Sequence, residues 1–205
     1  MLILKTASKK FFAILFLATS SLCIGADLPN YPNKPIKFIV PFAPGGNTDI
    51  AARIIATGLT EQLGQSVIVE NKAGAGGGIG TDFAAKSLPD GYTVLVGHIG
   101  ALTINPAIYE KLPYDTFKDF EPVGLSVVTP LVLVTAPKTG IKSMDELIRK
   151  AKTDPEKVTF GTAGSGSAAH MASELFNLTA NIKTTHIPYK GAGPATTALV
   201  AGEID

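Results

Sequence analysis

Two glycine-rich loops in this sequence carry residue types that can bind an anion. The first covers residues 41–48 and reads PFAPGGNT, and the second covers residues 161–167 and reads GTAGSGS. Each loop follows a short apolar run and leads into a helical pattern. Its glycines therefore bring backbone N–H groups to a helix N-terminus, where the helix dipole favours negative charge. Further donors are the hydroxyl groups of Thr48, Thr162, Ser165 and Ser167.

Neither loop contains a lysine or an arginine, so a bound anion would be held by neutral donors. A hydrogen bond to a charged group contributes roughly 1.5–3 kcal/mol. Several such bonds, less the entropic and desolvation costs, suit a binding free energy of about −8 kcal/mol, which is micromolar affinity. One glycine-rich loop is equally explained by a tight turn, but two loops in corresponding positions favour a binding site.

The histidines do not indicate a catalytic or metal centre. His170 and Glu174 lie four positions apart on one face of a predicted helix and could chelate a metal or form an acid–base pair, yet the sequence offers no third ligand. His98 ends a predicted strand and could line a cleft, whereas His186 is interpreted as structural. No P-loop and no G-x-S-x-G motif occurs. We therefore predict no metal, no cofactor and no catalysis.

One enzymatic alternative, a short-chain-dehydrogenase-like oxidoreductase, rests on spacing. Gly74, Gly76 and Gly80 match the G-x-G-x-x-x-G pattern of that class, and Tyr114 with Lys118 matches its Y-x-x-x-K pair. Against this alternative, the glycines follow the second predicted strand rather than the first. The tyrosine also follows a proline in an irregular stretch, whereas the catalytic pair needs one helix turn to share a face.

The two loops are set in alternating strand and helix patterns. A buried strand is predicted at residues 36–40, because the run IKFIV is short, β-branched and bounded by prolines. Further strands are predicted at residues 67–69, 93–96, 158–160 and 184–187. Helices are predicted from residue 47 or 48 to 64 and at residues 81–87, 143–153, 167–178 and 194–201. This alternation predicts an α/β fold with mostly parallel sheets covered by helices.

The N-terminus has the features of a secretory signal peptide at residues 1–26. Three lysines precede an apolar run, which is followed by small residues and a cleavage pattern at Ala26. The single cysteine, Cys23, lies in this segment, so the exported chain would contain no disulfide. The 18 basic and 17 acidic side chains nearly balance, which gives no electrostatic reason to expect nucleic acid as a partner. We predict a periplasmic protein.

Two adjacent apolar runs, residues 123–128 and 131–134, are predicted as back-to-back strands that cross between two lobes. Beyond them the strand and helix alternation restarts. We therefore predict a first lobe at residues 27–130 and a second lobe at residues 131–205. Residues 203–205 read as the opening of a further strand, so we expect the first lobe to lack its C-terminal part and the second to be incomplete.

A series of short motifs, in order along the chain, resembles one family. The motifs are YPNKPI at 31–36, VPFAPGGNTD at 40–49, LGQ at 63–65, VENKAGAGG at 69–77, PDGYT at 89–93, LPYD at 112–115 and HIPYKG at 186–191. From Tyr31 to Asp205 the sequence resembles the substrate-binding proteins of tripartite tricarboxylate transporters, the TctC or Bug family.

This resemblance implies a two-lobed, periplasmic-binding-protein-like fold of type II, with a ligand between the lobes and hinged closure. It implies a small carboxylate ligand, which can be a di- or tricarboxylate, an aromatic carboxylate or an amino acid. It also implies a monomer that serves the membrane permease subunits of a transporter or, in some members, a sensor kinase.

The resemblance further implies that backbone N–H groups, hydroxyls and water hold the ligand, with a contribution from residues 188–193. The site residues that it implies are Ala43, Pro44, Gly45, Gly46, Asn47, Thr48, Asp49, His98, Gly100, Ala101, Thr162, Ala163, Gly164, Ser165, Gly166, Ser167 and His170.

Overall fold

The computed structural model describes residues 30–205, and its contacts group Lys34–Asp205 into one unit. The predicted signal segment, residues 1–26, lies outside the described residues. From residue 30 onwards no helix is long and apolar enough to cross a membrane.

A three-stranded parallel sheet forms in the first half of the chain. Its strands are β1 (Ile36–Val40), β2 (Val67–Asn71) and β3 (Thr93–Leu95), in the spatial order β2-β1-β3. The helices α1 (Asn47–Leu63) and α2 (Gly78–Ala85) follow β1 and β2 and supply the crossovers that parallel strands require. Since β1 is the central strand, it is the most apolar and the most buried of the three.

Helix α1 packs on this sheet through small side chains. Ala52 and Ala56 are buried against β1, where their size lets the helix axis approach the strand closely. The apolar spacing alone predicts a buried face that includes Ile50 and Ile54, but these side chains are 53% and 69% exposed. The prediction of a helix is confirmed. Of the four residues predicted for its buried face, Ile50, Ile54 and Leu63 are exposed, and only Leu59 packs against the core.

A second parallel pair forms in the latter half, from β4 (Thr159–Thr162) and β5 (Thr185–Pro188). It is accompanied by α4 (Met144–Thr153), α5 (Ala168–Ala180) and α6 (Ala192–Ala201). Leu147 and Ala151 of α4 form a small core with Val158 and Ile182, which precede β4 and β5. No strand forms at residues 203–205, although the Asp205 N–H donates to the Thr159 carbonyl at 3.3 Å. The predicted α/β class with parallel sheets is confirmed.

Residues 121–135 contain neither helix nor strand, so the two strands predicted at 123–128 and 131–134 are wrong. The side chains of Val123, Leu125 and Val132 are 90%, 84% and 79% exposed. A strand needs ladder hydrogen bonds from a neighbour, and no described strand pairs with this segment. The lobe boundary predicted between residues 130 and 131 falls here and stays a prediction.

Candidate functional site

A buried carboxylate organises the first glycine-rich loop, which follows β1. Asp49 is 3% exposed and accepts hydrogen bonds from the Gly45 N–H at 2.9 Å, Arg53 Nε at 3.1 Å and Asn71 Nδ2 at 2.9 Å. Asn71 Nδ2 also donates to the Phe42 carbonyl at 2.9 Å. Burial raises the pKa of Asp49, but the hydrogen bonds from Arg53, Gly45 and Asn71 outweigh it and hold this pKa below its usual value. The side chain of Asp49 therefore shapes the loop from inside.

Helix α1 begins without a side-chain cap. Its N-cap residue is Gly46, which has φ −86° and ψ 169° and accepts the Ile50 N–H at 3.0 Å. The neighbouring Asn47 side chain is exposed and turns away to donate to Thr129 Oγ1 at 3.2 Å. An uncapped first turn keeps N–H donors at the positive end of the helix dipole, as the anion-site prediction requires.

The second loop, which follows β4, is closed by its own hydrogen bonds. Ser167 Oγ caps α5 by accepting the His170 N–H at 3.3 Å, and the Ser167 N–H donates to the Gly164 carbonyl at 3.1 Å. The Gly166 N–H donates to His170 Nδ1 at 3.2 Å, and the Gly164 N–H donates to Thr162 Oγ1 at 3.2 Å. These N–H groups are therefore not free to bind an anion, contrary to the anion-site prediction, because groups within and next to the loop accept them.

Two stacked histidines support this second loop from below. The ring centroids of His170 and His186 are 4.0 Å apart with an interplanar angle of 20°, and His186 also stacks on Phe160 at 4.9 Å. His186 Nε2 lies 2.6 Å from Thr162 Oγ1, and His170 Nε2 lies 3.7 Å from Glu174 Oε1. The pKa of His186 is lowered to about 4, mainly by burial and to a smaller extent by the neighbouring His170. His186 is therefore neutral at pH 7.

A third segment, the turn after β3, adds a partly buried histidine. His98 Nδ1 accepts the Gly100 N–H at 3.0 Å, and its ring meets the edge of Phe42 with centroids 5.0 Å apart. Burial lowers the pKa of His98, which keeps the ring neutral. Gly100 and Ala101 are buried at the start of a helical turn, Gly100–Ile104, that continues into α3 (Asn105–Ile108).

The carboxyl ends of the two parallel sheets meet in the structure. The Ala43 N–H in the first loop donates to the Lys190 carbonyl beyond β5 at 2.8 Å. A Cβ atom at Gly100 would lie 2.9 Å from the Gly166 carbonyl oxygen, so glycine is required for this approach. The glycine-rich turn after β2 contacts the second loop in the same way. The predicted site segments, which are far apart in sequence, therefore form one backbone-lined seam.

Exposure differs among the predicted site residues at this seam. Partly or fully solvent-exposed are Ala43, Pro44, Gly45, Asn47, Thr48, His98, Ala163, Ser165 and His170, whereas Gly46, Asp49, Gly100, Ala101, Thr162, Gly164, Gly166 and Ser167 are buried.

Four residues that sequence reasoning did not assign to the site also lie at the seam or support it: Arg53, Asn71, Asn105 and His186. Asn105 is 1% exposed, and its Oδ1 atom has no hydrogen-bond partner among the described residues. Arg53 and Asn71 hold Asp49, and His186 holds Thr162. His186 and Asn71 are signalled by their places in the HIPYKG and VENKAGAGG motifs, whereas Arg53 and Asn105 carry no local signal.

The residues of the dehydrogenase alternative have other roles in the structure. The Tyr114 hydroxyl is buried and donates to the Ala101 carbonyl at 2.6 Å. Lys118 is 81% exposed and pairs with Asp115 at 2.8 Å, and the stretch between the tyrosine and the lysine forms no helix. The Tyr114 and Lys118 side chains therefore do not form the catalytic pair that this alternative needs.

Metal binding has no cluster to support it. Within residues 30–205 no group of three or more histidine, cysteine, aspartate or glutamate side chains is placed to hold a metal ion. His170 and Glu174 do face each other, as their spacing predicted.

Comparison with known proteins places these features in a family. The family described as "Tripartite tricarboxylate transporter family receptor" matches residues 51–205. The chain belongs to this receptor family. The curated protein BugT of Bordetella pertussis is 44% identical over 93% of this chain and 59% of its own length.

Solved structures agree with this assignment. The periplasmic binding protein BugD is 35% identical, with a TM-score of 0.77 over 85% of this chain and 58% of its own. MatC of Rhodopseudomonas palustris, solved with bound malate, is 35% identical, with a TM-score of 0.80 over 85% of this chain and 60% of its own. The fold is therefore that of periplasmic binding proteins, and the chain of this TctC-family receptor spans about three fifths of the length of these relatives.

Proposed function

We propose that this TctC-family receptor captures a small carboxylate and presents it to the membrane permease subunits of a tripartite tricarboxylate transporter, without catalysing a reaction. The observation that carries the proposal is the seam where the uncapped N-terminus of α1 faces the residues beyond β5. Open α/β sheets bind ligands at the carboxyl ends of their strands. An uncapped helix start there provides N–H donors and a favourable dipole for a carboxylate.

The relatives support the ligand class. MatC was solved with bound malate, a dicarboxylate. In this chain the first loop and the second loop contain no lysine or arginine, so the ligand would be held by N–H groups, hydroxyls and water. We propose a di- or tricarboxylate, an aromatic carboxylate or an amino acid as the ligand, with the predicted site residues at the seam contacting it.

The proposed location is the periplasm, reached through the signal peptide predicted at residues 1–26. The receptor would act as a monomer with two lobes, divided near residue 130, that close on the ligand by a hinge. Residues 121–135 lack regular structure and connect, along the chain, the strands of the first sheet to those of the second. This segment is therefore suited to act as the hinge.

The first test is a thermal-shift screen of the purified protein against carboxylates, amino acids and nicotinamide dinucleotides. We expect a saturable rise of the melting temperature with one class of carboxylate, since a ligand that binds the folded state stabilises it. A rise with a dinucleotide and none with any carboxylate would contradict the proposal and favour the dehydrogenase alternative.

The variant Gly46→Asp tests the helix N-terminus directly. Gly46 has a backbone conformation open to any residue, and a Cβ atom there would lie 3.5 Å from Ala192, an ordinary contact. The new carboxylate would accept the free N–H groups of α1 and repel an anionic ligand, while it stabilises the helix. We expect ligand affinity to fall about tenfold or more, and the melting temperature of the variant without ligand checks that it still folds.

Gly58→Asp is the matched control, because it adds the same charge to α1 at a position where a Cβ atom meets nothing within 4 Å. Calorimetric titration of both variants with the carboxylate found in the screen should show loss of affinity in Gly46→Asp alone. Equal affinity in the two variants would exclude the N-terminus of α1 from the site.

A further inference from the structure

His186, which the sequence alone suggests is structural, contacts the start of the second loop directly and the end of the loop through His170. His186 lies on β5, where its register places it opposite Phe160 on β4. Its Nε2 atom lies 2.6 Å from Thr162 Oγ1, at the start of the loop. Its ring stacks on His170, 4.0 Å away, and His170 Nδ1 accepts the Gly166 N–H near the end of the loop.

The two contacts fix the loop through its backbone. Thr162 Oγ1 accepts the Gly164 N–H at 3.2 Å, so the position of the threonine hydroxyl sets the first turn. Gly164 and Gly166 have φ angles of +125° and +77°, which leaves the loop no side chains of its own at these positions to hold this shape. The ring of His186 therefore helps to hold the loop in this shape through its contacts with Thr162 and His170.

The charge state of His186 matters for this support. Among the described residues the ionisable groups that act on it are His170, which would repel an imidazolium if it were itself protonated, and Glu174, which would attract one. The His170 Nδ1 atom accepts a hydrogen bond from a backbone N–H, which requires that nitrogen to be unprotonated. The stacked arrangement of His170 and His186 that supports the loop therefore favours uncharged rings.

We propose that His186 is a positioning residue of the ligand site, which holds the 161–167 loop in its ligand-binding shape through Thr162 and His170 as long as its ring is neutral. This inference rests on the proposed function, since it assumes that the loop contacts a carboxylate. Protonation of His186 places a charge in a stack and a half-buried site that disfavour it. The loop then gives up the shape that the ligand needs.

The test compares His186→Gln with His186→Phe by calorimetric titration at pH 8, using the carboxylate that stabilises the wild-type protein in the screen. Glutamine keeps a planar group that can hydrogen-bond Thr162, so we expect affinity within about threefold of wild type. Phenylalanine keeps the stack but loses that bond, so we expect affinity to fall about tenfold. Equal affinities for the two variants would overturn the inference.

A pH series separates positioning from a merely structural role and does not need the phenylalanine variant to fold. The affinity of the wild-type protein, divided by that of His186→Gln, should fall by about twofold between pH 6.5 and pH 4, where half of the His186 rings are protonated, and by about tenfold near pH 3. The division cancels the titration of the ligand itself.

The outcomes distinguish the two proposals. A pH-independent affinity ratio would show that His186 does not position the loop, while the carboxylate function would stand. If no carboxylate binds the wild-type protein, the proposed function is wrong and the inference is overturned with it.

Discussion

The two glycine-rich loops look alike in sequence but are held by opposite means. The first, at residues 41–48, surrounds an ionised carboxylate, Asp49, that gathers three different donors and leaves its helix uncapped. The second, at residues 161–167, is held by neutral hydroxyl and imidazole groups and has its helix capped by Ser167. The glycines therefore allow the backbones to approach closely, whereas the hydrogen bonds that hold each loop in place come from residues other than glycine.

The largest expected effect is loss of the charged support in the first loop. Asp49→Ala leaves the Gly45 N–H, Asn71 and Arg53 without their common acceptor. We expect the free energy of unfolding to fall by about 3 kcal/mol. Urea unfolding at pH 7 measures this change. Glu61→Ala, at an exposed position on the same helix, should stay within about 0.5 kcal/mol of wild type, and equal costs for the two variants would refute the proposed support.

A smaller effect is expected from alanine at one glycine in each loop. Gly45 and Gly166 have similar φ angles of +84° and +77°, so both substitutions carry the strain of the left-handed region. A Cβ atom at Gly45 meets nothing within 4 Å, whereas one at Gly166 would collide with Asn105 Oδ1. We expect Gly166→Ala to be less stable than Gly45→Ala by about 1–2 kcal/mol in the same unfolding assay. A difference near zero would mean that the Asn105 side chain moves freely.

The smallest expected effect is a difference between the two loops in how their contribution to stability depends on pH. The pKa of His186 is lowered to about 4 from an ordinary value of 6.5, so its neutral form contributes stability that is complete above pH 6.5 and is lost as the pH falls towards 4. Partial exposure reduces this contribution to about 1 kcal/mol. The pKa of Asp49 is held below its usual 3.8, so its contribution persists through the same window.

Unfolding measured between pH 7 and pH 4.5 checks this third prediction. The wild-type protein should lose more stability across that range than His186→Gln. A parallel decline in the two proteins would assign the loss to other groups, among which His98 also has a pKa lowered by burial.

The sequence predicted best what depends on neighbouring residues. The strand at 36–40 and the helix after it follow from a short apolar run and a glycine loop, which are both local, although Gly46 rather than a capping side chain begins the helix. The same reasoning failed at residues 121–135, because an apolar run becomes a strand only if another strand pairs with it.

The candidate site divides along the same line. Its glycine loops could be located from spacing, and the place of strand ends in α/β sheets predicted that they lie near each other. Asn71 could not be assigned as a partner of Asp49, from which it is 22 positions distant, and His186 could not be assigned to Thr162. The first pairing depends on how α1 packs on the end of β2, and the second depends on the register of β4 and β5; periodicity reveals neither.

The hydrogen bond from the Ala43 N–H to the Lys190 carbonyl gives the seam a built-in reporter. This amide proton is held only while the edges of the two sheets touch, and its 2.8 Å bond joins segments nearly 150 positions apart. Its rate of exchange with deuterated solvent would therefore measure how often the edges separate, one amide at a time. A ligand that binds at the seam should slow the exchange of this amide more than that of amides elsewhere in the chain.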